Sequence, residues 1–368
     1  MKIGIDISQV VYAGTGVSTY TENLVKALVQ SNQSDEFVLF GSALNRCSQL
    51  LNFINSLPNR PSVTSKIYHL PPSVLSFLWN TWHVVPIEKF VGKTDVFHTS
   101  DWTEPPSKVP KITTVHDLVV YKYPQHLPNS IINAQKARLN WVKKESAGII
   151  ADSKATKQDI IEYLGIAEDK IQVVYLGVNE SFYPRKAGEI QRVKNKYHIV
   201  GDYLLVIGTR EPRKNLSRII TAYKQLKNSD IQLVVGGNYG WGSDVEKSEN
   251  INLLGFVDTV DLPALYSGAA SFVYPSLYEG FGLPVLEAMA CGTLVVTSLR
   301  GSLAEITGKS AITVDPDNID DITNGIKTSI SYSDSERTGH INQGFMQAKT
   351  FTWEKTARQT LEVYKSVV

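Results

Sequence analysis

The chain has 368 residues, long enough for two α/β domains with separate cores, and its 42% hydrophobic and 20% charged content excludes a disordered chain. A formal net charge of +1 excludes a global field suited to nucleic acid, so any anionic ligand must be met by a local group of residues. Cys47 and Cys291 lie far apart and match no metal or redox spacing, which fits a reducing cytoplasm.

The opening Met-Lys-Ile-Gly-Ile-Asp reads as a strand, with no basic segment leading into an apolar signal region. Short β-branched runs follow at 37–40, 96–98, 112–116, 148–151 and 171–174, and helical periodicity at 18–29, 129–146 and 154–164. Ser153 is placed to cap the last of these. The aromatic segment 75–91, with Phe77, Trp79 and Trp82, is interrupted by Asn80, His83, Pro86, Glu88 and Lys89. It is too short and polar to span a bilayer, and helix packing is the expected use of its rings.

Breaker chemistry from Gly177 to Pro184 ends this alternation, which restarts with strands at 203–208, 231–236, 251–254, 270–274, 294–297 and 311–314. Helices are expected at 216–226, 261–267, 284–290 and 320–332, and a last one at 353–367. The domains are therefore expected at 1–184 and 185–350, each with the parallel sheet of β-α-β units. Ligands in such folds gather beyond the carboxyl ends of the strands, so the loops there are the places to look.

The strongest loop is Ser276-Leu-Tyr-Glu-Gly-Phe-Gly-Leu-Pro-Val-Leu-Glu287, between a strand and a short helix. Pro284 suits a first helical turn, and Gly280 and Gly282 let backbone approach a ligand closely. Amides of Phe281, Gly282 and Leu283 at a helix start form a cradle for phosphate. Glu279 and Glu287, the latter expected in the first helical turn, are acceptors suited to paired hydroxyls. A capped helix with solvated acids accounts for the same residues equally well.

A second loop, Gly208-Thr-Arg-Glu-Pro-Arg-Lys-Asn215, places Arg210, Arg213 and Lys214 between a strand and a helix, where cations neutralise a pyrophosphate. An exposed basic turn is the plainer alternative. In the first loop, Gly14-Thr-Gly16, Thr19 stands where a dinucleotide fingerprint needs its third glycine, which argues against a nicotinamide oxidoreductase. His116-Asp117 closes a strand, with a structural role for the histidine and a cap for Asp117 as alternatives. Asp315-Pro-Asp317 has the Asp-x-Asp spelling of a divalent-cation site but no third ligand in view, and reads as a turn. The seven histidines show no paired zinc spacing.

Glu279-Gly-Phe-Gly-Leu-Pro-Val-Leu-Glu287 matches the Glu-x7-Glu motif of retaining glycosyltransferases of family four. Ala13–Tyr20, Val115-His-Asp-Leu118 and Gly208–Asn215 match further family segments in order, so the chain resembles that family, its mannosyltransferase-like group in particular, over nearly its whole length. The resemblance implies a GT-B fold: two Rossmann-like domains with parallel sheets facing an interdomain cleft. It also implies that the terminal helix, within 351–368, packs back on the first domain.

In such a protein Lys214, with Arg213 favoured over Arg210, would stabilise the departing diphosphate without a metal or other cofactor. Glu279 would hold sugar hydroxyls and Glu287 the ribose, while His116 would orient a hydroxyl near the transferred sugar. Gly14 and Gly16 would close over the donor phosphate or the acceptor side of the cleft, and backbone at Phe256 and Val257 would read the base. Ser153 matches another cleft position. Ser18 stands where many members carry arginine, and Thr209 where many carry another. The implied partners are a nucleotide sugar, GDP-mannose first, and a glycan or lipid-linked acceptor, in the cytoplasm with peripheral contact at the inner membrane face left open. An epimerase or a non-catalytic sugar-nucleotide binder would share the paired domains, but Lys214 together with both glutamates argues against the binder.

Overall fold

The computed structural model describes residues 1–226, 230–242 and 250–368. The chain divides into two compact units, Met1–Gly177 with Thr352–Val368, and Val178–Phe351. The division falls seven residues before Pro184, because backbone pairing of Val178 with Phe351 already belongs to the second unit.

The first unit is built on seven parallel strands: β1 (Lys2–Asp6), β2 (Glu36–Ser42), β3 (Val63–Tyr68), β4 (Val96–Thr99), β5 (Lys111–Val115), β6 (Ser146–Ala151) and β7 (Ile171–Val173). They lie in the order β3-β2-β1-β4-β5-β6-β7. The run Phe-Val-Leu-Phe in β2 is buried on both faces, as expected for a sheet covered by helices on both sides. Trp79 is fully buried against Phe40 and Phe97, and its indole N–H donates to the Val85 carbonyl at 2.9 Å. Burial of each such ring contributes about 1.5–3 kcal/mol.

Packing accounts for Trp79 alone among the three aromatics singled out above. Phe77 and Trp82 remain 46% and 62% exposed and lean on each other, with ring centroids 4.4 Å apart. The short helix Pro72–Ser76 passes at Phe77 into a wider turn that turns these two rings outward.

The terminal helix Trp353–Val367 packs in the first unit, where Tyr364 is fully buried and its hydroxyl lies 2.6 Å from Nδ1 of His98. Gly177 allows the chain to pass there: a Cβ on it would stand 2.2 Å from the Trp353 nitrogen.

The second unit carries six parallel strands: β8 (Tyr203–Ile207), β9 (Gln232–Gly236), β10 (Ile251–Gly255), β11 (Ser271–Tyr274), β12 (Val295–Thr297) and β13 (Ile312–Thr313). Their order is β10-β9-β8-β11-β12-β13. Leu204, Leu233, Val273 and Val296 face Ile219, Ile322 and Ile326 in its core. In both sheets the strand order reverses beside the first strand of the unit, between β1 and β4 and between β8 and β11. Loops leaving those strands diverge at the carboxyl ends, which is where this architecture binds ligands. Among the described residues no helix is long and apolar enough to cross a membrane.

Candidate functional site

The switch point of the second unit brings the two chemically marked loops together. The loop after β8 holds Arg213 and Lys214 in one helical turn, Pro212–Lys214, closed by Asn215 in the left-handed region at φ 63°. The Asn215 amide donates to the carbonyls of Pro275 and Pro316, at 3.0 and 2.6 Å. The Leu277 amide and the Ser276 hydroxyl both donate to the Arg213 carbonyl, at 2.8 and 2.9 Å. One backbone hydrogen bond and the side chains of Asn215 and Ser276 thus fasten the loops from β8 and β11 together.

Glu279 sits at the centre. Its Oε1 accepts from Lys214 Nζ at 2.8 Å, from the Tyr274 hydroxyl at 2.9 Å and from the Ser276 hydroxyl at 2.6 Å, while its Oε2 accepts from Arg213 Nη1 at 2.8 Å. Lys214 also donates to the Tyr274 hydroxyl, and Arg213 reaches Glu211 at 2.8 Å and the Tyr278 carbonyl at 3.2 Å. Burial alone would raise the Glu279 carboxyl, but the charges of Arg213 and Lys214 hold it down at about 2. Burial and the Arg213 charge pull the Lys214 ammonium below its ordinary value, against the attraction of Glu279. The expectation was a carboxylate presented to sugar hydroxyls. Both its oxygens are engaged by the two cations and their hydroxyl neighbours.

The helix expected from the glycine-proline signal runs from Leu283 to Ala290, with Gly282 at φ 106° before it and Pro284 in its first turn. A Cβ on Gly282 would stand 2.9 Å from Leu303, so glycine is required on two counts. Ser302 secures the approach: its hydroxyl donates to the carbonyls of Glu279 and Phe281, at 3.1 and 2.5 Å. The Phe281 ring packs edge-on against Phe351, and Gly280 to Leu283 are buried.

Glu287 was placed too early. It falls in the second turn, and no acidic residue occupies the first. Its carboxyl accepts from the Tyr266 hydroxyl at 3.1 Å, and burial pushes it up to about 8, so near neutral pH it is mostly protonated.

Arg210 is buried, with its guanidinium carbon 4.2 Å from the Tyr239 ring centroid. After β10, Phe256 is half exposed, while Val257 is buried and a Cβ on Gly236 would meet it at 2.9 Å. Asp315 and Asp317 are taken up by arginines: Arg300 reaches them at 3.6 and 3.2 Å, and Arg218 reaches Asp317 at 3.4 Å.

In the first unit, Gly14 needs its φ of 83°, and Gly16 opens the helix Gly16–Ser31, capped by Thr15. A Cβ on Gly16 would meet nothing within 4 Å. His116 follows β5 and Asp152 follows β6. The register pairs Val115 with Ala151, which sets the next residues side by side. His116 Nδ1 lies 2.6 Å from Asp152 Oδ2, and the Tyr20 ring stands edge-on to the imidazole at 4.6 Å. Burial would lower the imidazole, but the charge and hydrogen bond of Asp152, helped by Asp101, raise it to about 9. His98, nearby, is pushed the other way to about 3 by burial. Ser153 and Asp117 take the capping roles open to them, accepting from the amides of Thr156 and Val119.

Sequence reasoning named the cations, both glutamates and His116, and missed Asp152, Tyr274 and Ser276. Ser276 opens the motif itself and Tyr274 ends the strand before it. Asp152 had a signal in Ala-Asp-Ser-Lys, but only the strand register shows its partner.

The family model "Glycosyltransferase Family 4" matches residues 14–182, and "Glycosyl transferases group 1" matches residues 190–342. The chain is 31% identical to O-antigen chain mannosyltransferase B of Escherichia coli, over 99% of this chain and 100% of that one. It is 28% identical to O-antigen chain mannosyltransferase RfbU of Salmonella typhimurium, over 85% and 87%. Among solved structures, Anabaena Alr3699/HepE in complex with UDP-glucose superposes with a TM-score of 0.74 at 17% identity, covering 100% of both chains. Sucrose-phosphate synthase from Thermosynechococcus elongatus gives 0.74 at 19%, covering 100% and 98%. Two parallel-sheet units with switch-point loops of this composition, and relatives spanning the full chain, lead to one conclusion: the protein belongs to the family-four glycosyltransferases of GT-B fold, in their mannosyltransferase-like group.

Proposed function

We propose that this glycosyltransferase moves a hexose, mannose from GDP-mannose first, to a hydroxyl of a glycan or lipid-linked acceptor, retaining the anomeric configuration and using no metal. The observation that carries the proposal is the Lys214–Arg213–Glu279 cluster at the switch point of the second unit. When the sugar departs, negative charge grows on the diphosphate. Cations already oriented in a poorly solvated place stabilise that charge without reorganising. Glu279 holds them in position. Amides at the start of the helix Leu283–Ala290 add a backbone contribution of the same sign.

A protonated His116, held by Asp152, donates to a sugar hydroxyl or orients its neighbours. Mannose is favoured because the relatives named above are mannosyltransferases by name. Positive charge that a divalent ion would bring is available from side chains of the loop after β8. A thermal-shift screen against GDP-, UDP- and ADP-sugars tests the donor, since a ligand that binds the native state raises the midpoint by mass action. A rise with GDP-mannose, followed by transfer to an acceptor with EDTA present, is the expected result. A rise only with a UDP- or ADP-sugar overturns the donor assignment.

A further inference from the structure

Tyr20, whose ring stands against His116, belongs to a chain of buried polar groups that ends on the terminal helix. Its hydroxyl lies 2.7 Å from the Thr114 hydroxyl, which lies 3.0 Å from Nε2 of His98, and Nδ1 of His98 lies 2.6 Å from the Tyr364 hydroxyl. All four residues are buried. They come from four elements: the helix Gly16–Ser31, β5, β4 and the terminal helix. That helix also reaches Tyr20 through the Trp353 ring, with centroids 6.3 Å apart. Hydrogen-bonded chains of this kind, when fully satisfied, hold their members in one arrangement.

The protons give the chain a direction. Burial pushes the His98 imidazole down to about 3, so it is neutral near pH 7, with one nitrogen donating and the other accepting. Among the described residues the Tyr364 hydroxyl has only His98 as a partner, and it is fully buried. A Tyr364 that accepted would strand its own proton there, at the full cost of desolvation. Tyr364 therefore donates to Nδ1, Nε2–H donates to Thr114, and Thr114 donates to Tyr20. The Tyr20 O–H is then the one proton of the chain with no acceptor inside it. Beside it lies a cavity of about 20 Å³ that Asp6, Asp101 and His116 also line. That volume has room for one oxygen the size of a water.

We infer that Tyr364 and His98 are positioning residues of the His116 site: through Thr114 they fix the Tyr20 ring against the imidazole and set the Tyr20 hydroxyl as a donor toward an oxygen in that cavity. This rests on the transferase reading above, and it makes the terminal helix a working part of the site.

The test compares the unaltered full chain with Y364F, T114V and V363A. Val363 is the control: it is buried on the same helix but faces Gly148 of β6, where a Cβ would stand 3.6 Å from it. Nitrogen and proton NMR at neutral pH reads the imidazoles, and transfer from GDP-mannose to a mannoside acceptor gives kcat and KM. In the unaltered chain His98 should carry its proton on Nε2. In Y364F its Nδ1 signal should move, and in both Y364F and T114V the His116 ring protons should shift as the Tyr20 ring turns. Both variants should lose kcat about tenfold with donor KM unchanged, because displacements below an ångström suffice for that. V363A should lower the thermal midpoint and leave kcat and the His116 signals in place.

A wild-type kcat in Y364F and T114V overturns the inference alone. So does His98 protonated on Nδ1 in the unaltered chain, or an equal loss of kcat in V363A, which would reduce Tyr364 to packing. If the unaltered chain transfers no sugar from GDP-mannose, UDP-glucose or ADP-glucose, the transferase reading falls and the positioning role with it, whereas the spectra separately decide whether the hydrogen-bonded chain exists.

Discussion

Two buried charge clusters stand at the carboxyl ends of the strands, one joining the loops after β8 and β11 in the second unit and one joining the ends of β5 and β6 in the first, and they are made differently. Around Glu279, two cations and a carboxylate from adjoining loops are interlocked through Tyr274 and Ser276, with Glu211 as an outer counter-charge. Around His116 there is one short contact to Asp152, with Tyr20 against the ring. The first cluster is arranged to stay ionised: its carboxylate titrates near 2. The second contains a group that changes charge within an accessible range, near 9. One suits fixed stabilisation of an anion; the other suits hydrogen-bond donation to a hydroxyl from an imidazole held protonated.

The largest effect should come from breaking the first cluster. Glu279→Ala leaves Lys214 and Arg213 buried without their shared carboxylate, and should cost about 3–5 kcal/mol in chemical denaturation. A loss below 1 kcal/mol would mean that the cations relax to solvent and that Glu279 does not position them. The folded pKa is depressed from 4.5 to about 2, so the stabilisation is present above about pH 4.5 and lost as pH falls toward 2. Acid titration of the wild type should therefore steepen in that window, and the variant should lack the step.

The second cluster should respond less and with the opposite sign. Asp152→Asn removes a charged hydrogen bond and should cost about 1.5–3 kcal/mol at pH 6. The His116 pKa is raised above its unfolded value of 6.5, so this stabilisation is complete below pH 6.5 and is lost as pH rises through 9. The cost of the substitution should shrink correspondingly at pH 10. Imidazole resonances followed by NMR should show the midpoint moving down in the variant. An unmoved midpoint would remove Asp152 as the cause of the shift.

Gly301 links the comparison to backbone. It lies at φ 61°, and a Cβ there would stand 2.3 Å from the Glu279 carbonyl. Gly301→Ala should destabilise by about 1–3 kcal/mol and lower donor affinity, without altering the His116 titration. A change in both clusters would show that they are not independent. The smallest effect should come from Arg300→Ala, whose exposed contacts to Asp315 and Asp317 predict a change within about 0.5–1 kcal/mol and unchanged transfer.

The difference between the clusters also explains what could be read in advance. Glu279, Arg213 and Lys214 sit in contiguous loops marked by glycine and proline, so local chemistry announced them. Their mutual engagement was not legible, because it depends on β8 and β11 being neighbours in a sheet where β9 and β10 come between them in sequence. Asp152 was missed for the same reason: a register of two strands, not a motif, makes it a partner of His116. Strand β3 was missed because Val-Thr-Ser-Lys-Ile-Tyr at a sheet edge is half exposed and shows no apolar run. The helices Cys47–Ser56, Ala187–Lys196 and Asp334–Ala348 also escaped, the last two being polar over most of their surface. Central strands were read well because burial on both faces leaves an unbroken β-branched run.

The central claim is that side-chain cations, held by Glu279, neutralise the departing diphosphate. Its most direct test is the single-turnover rate of mannosyl transfer from GDP-mannose by wild type and Lys214→Ala, with EDTA present throughout. The account predicts an undiminished wild-type rate and a drop of about 10²–10³ in the variant. A variant that transfers at the wild-type rate, or a wild type that stops in EDTA and recovers only with a divalent ion, would contradict it.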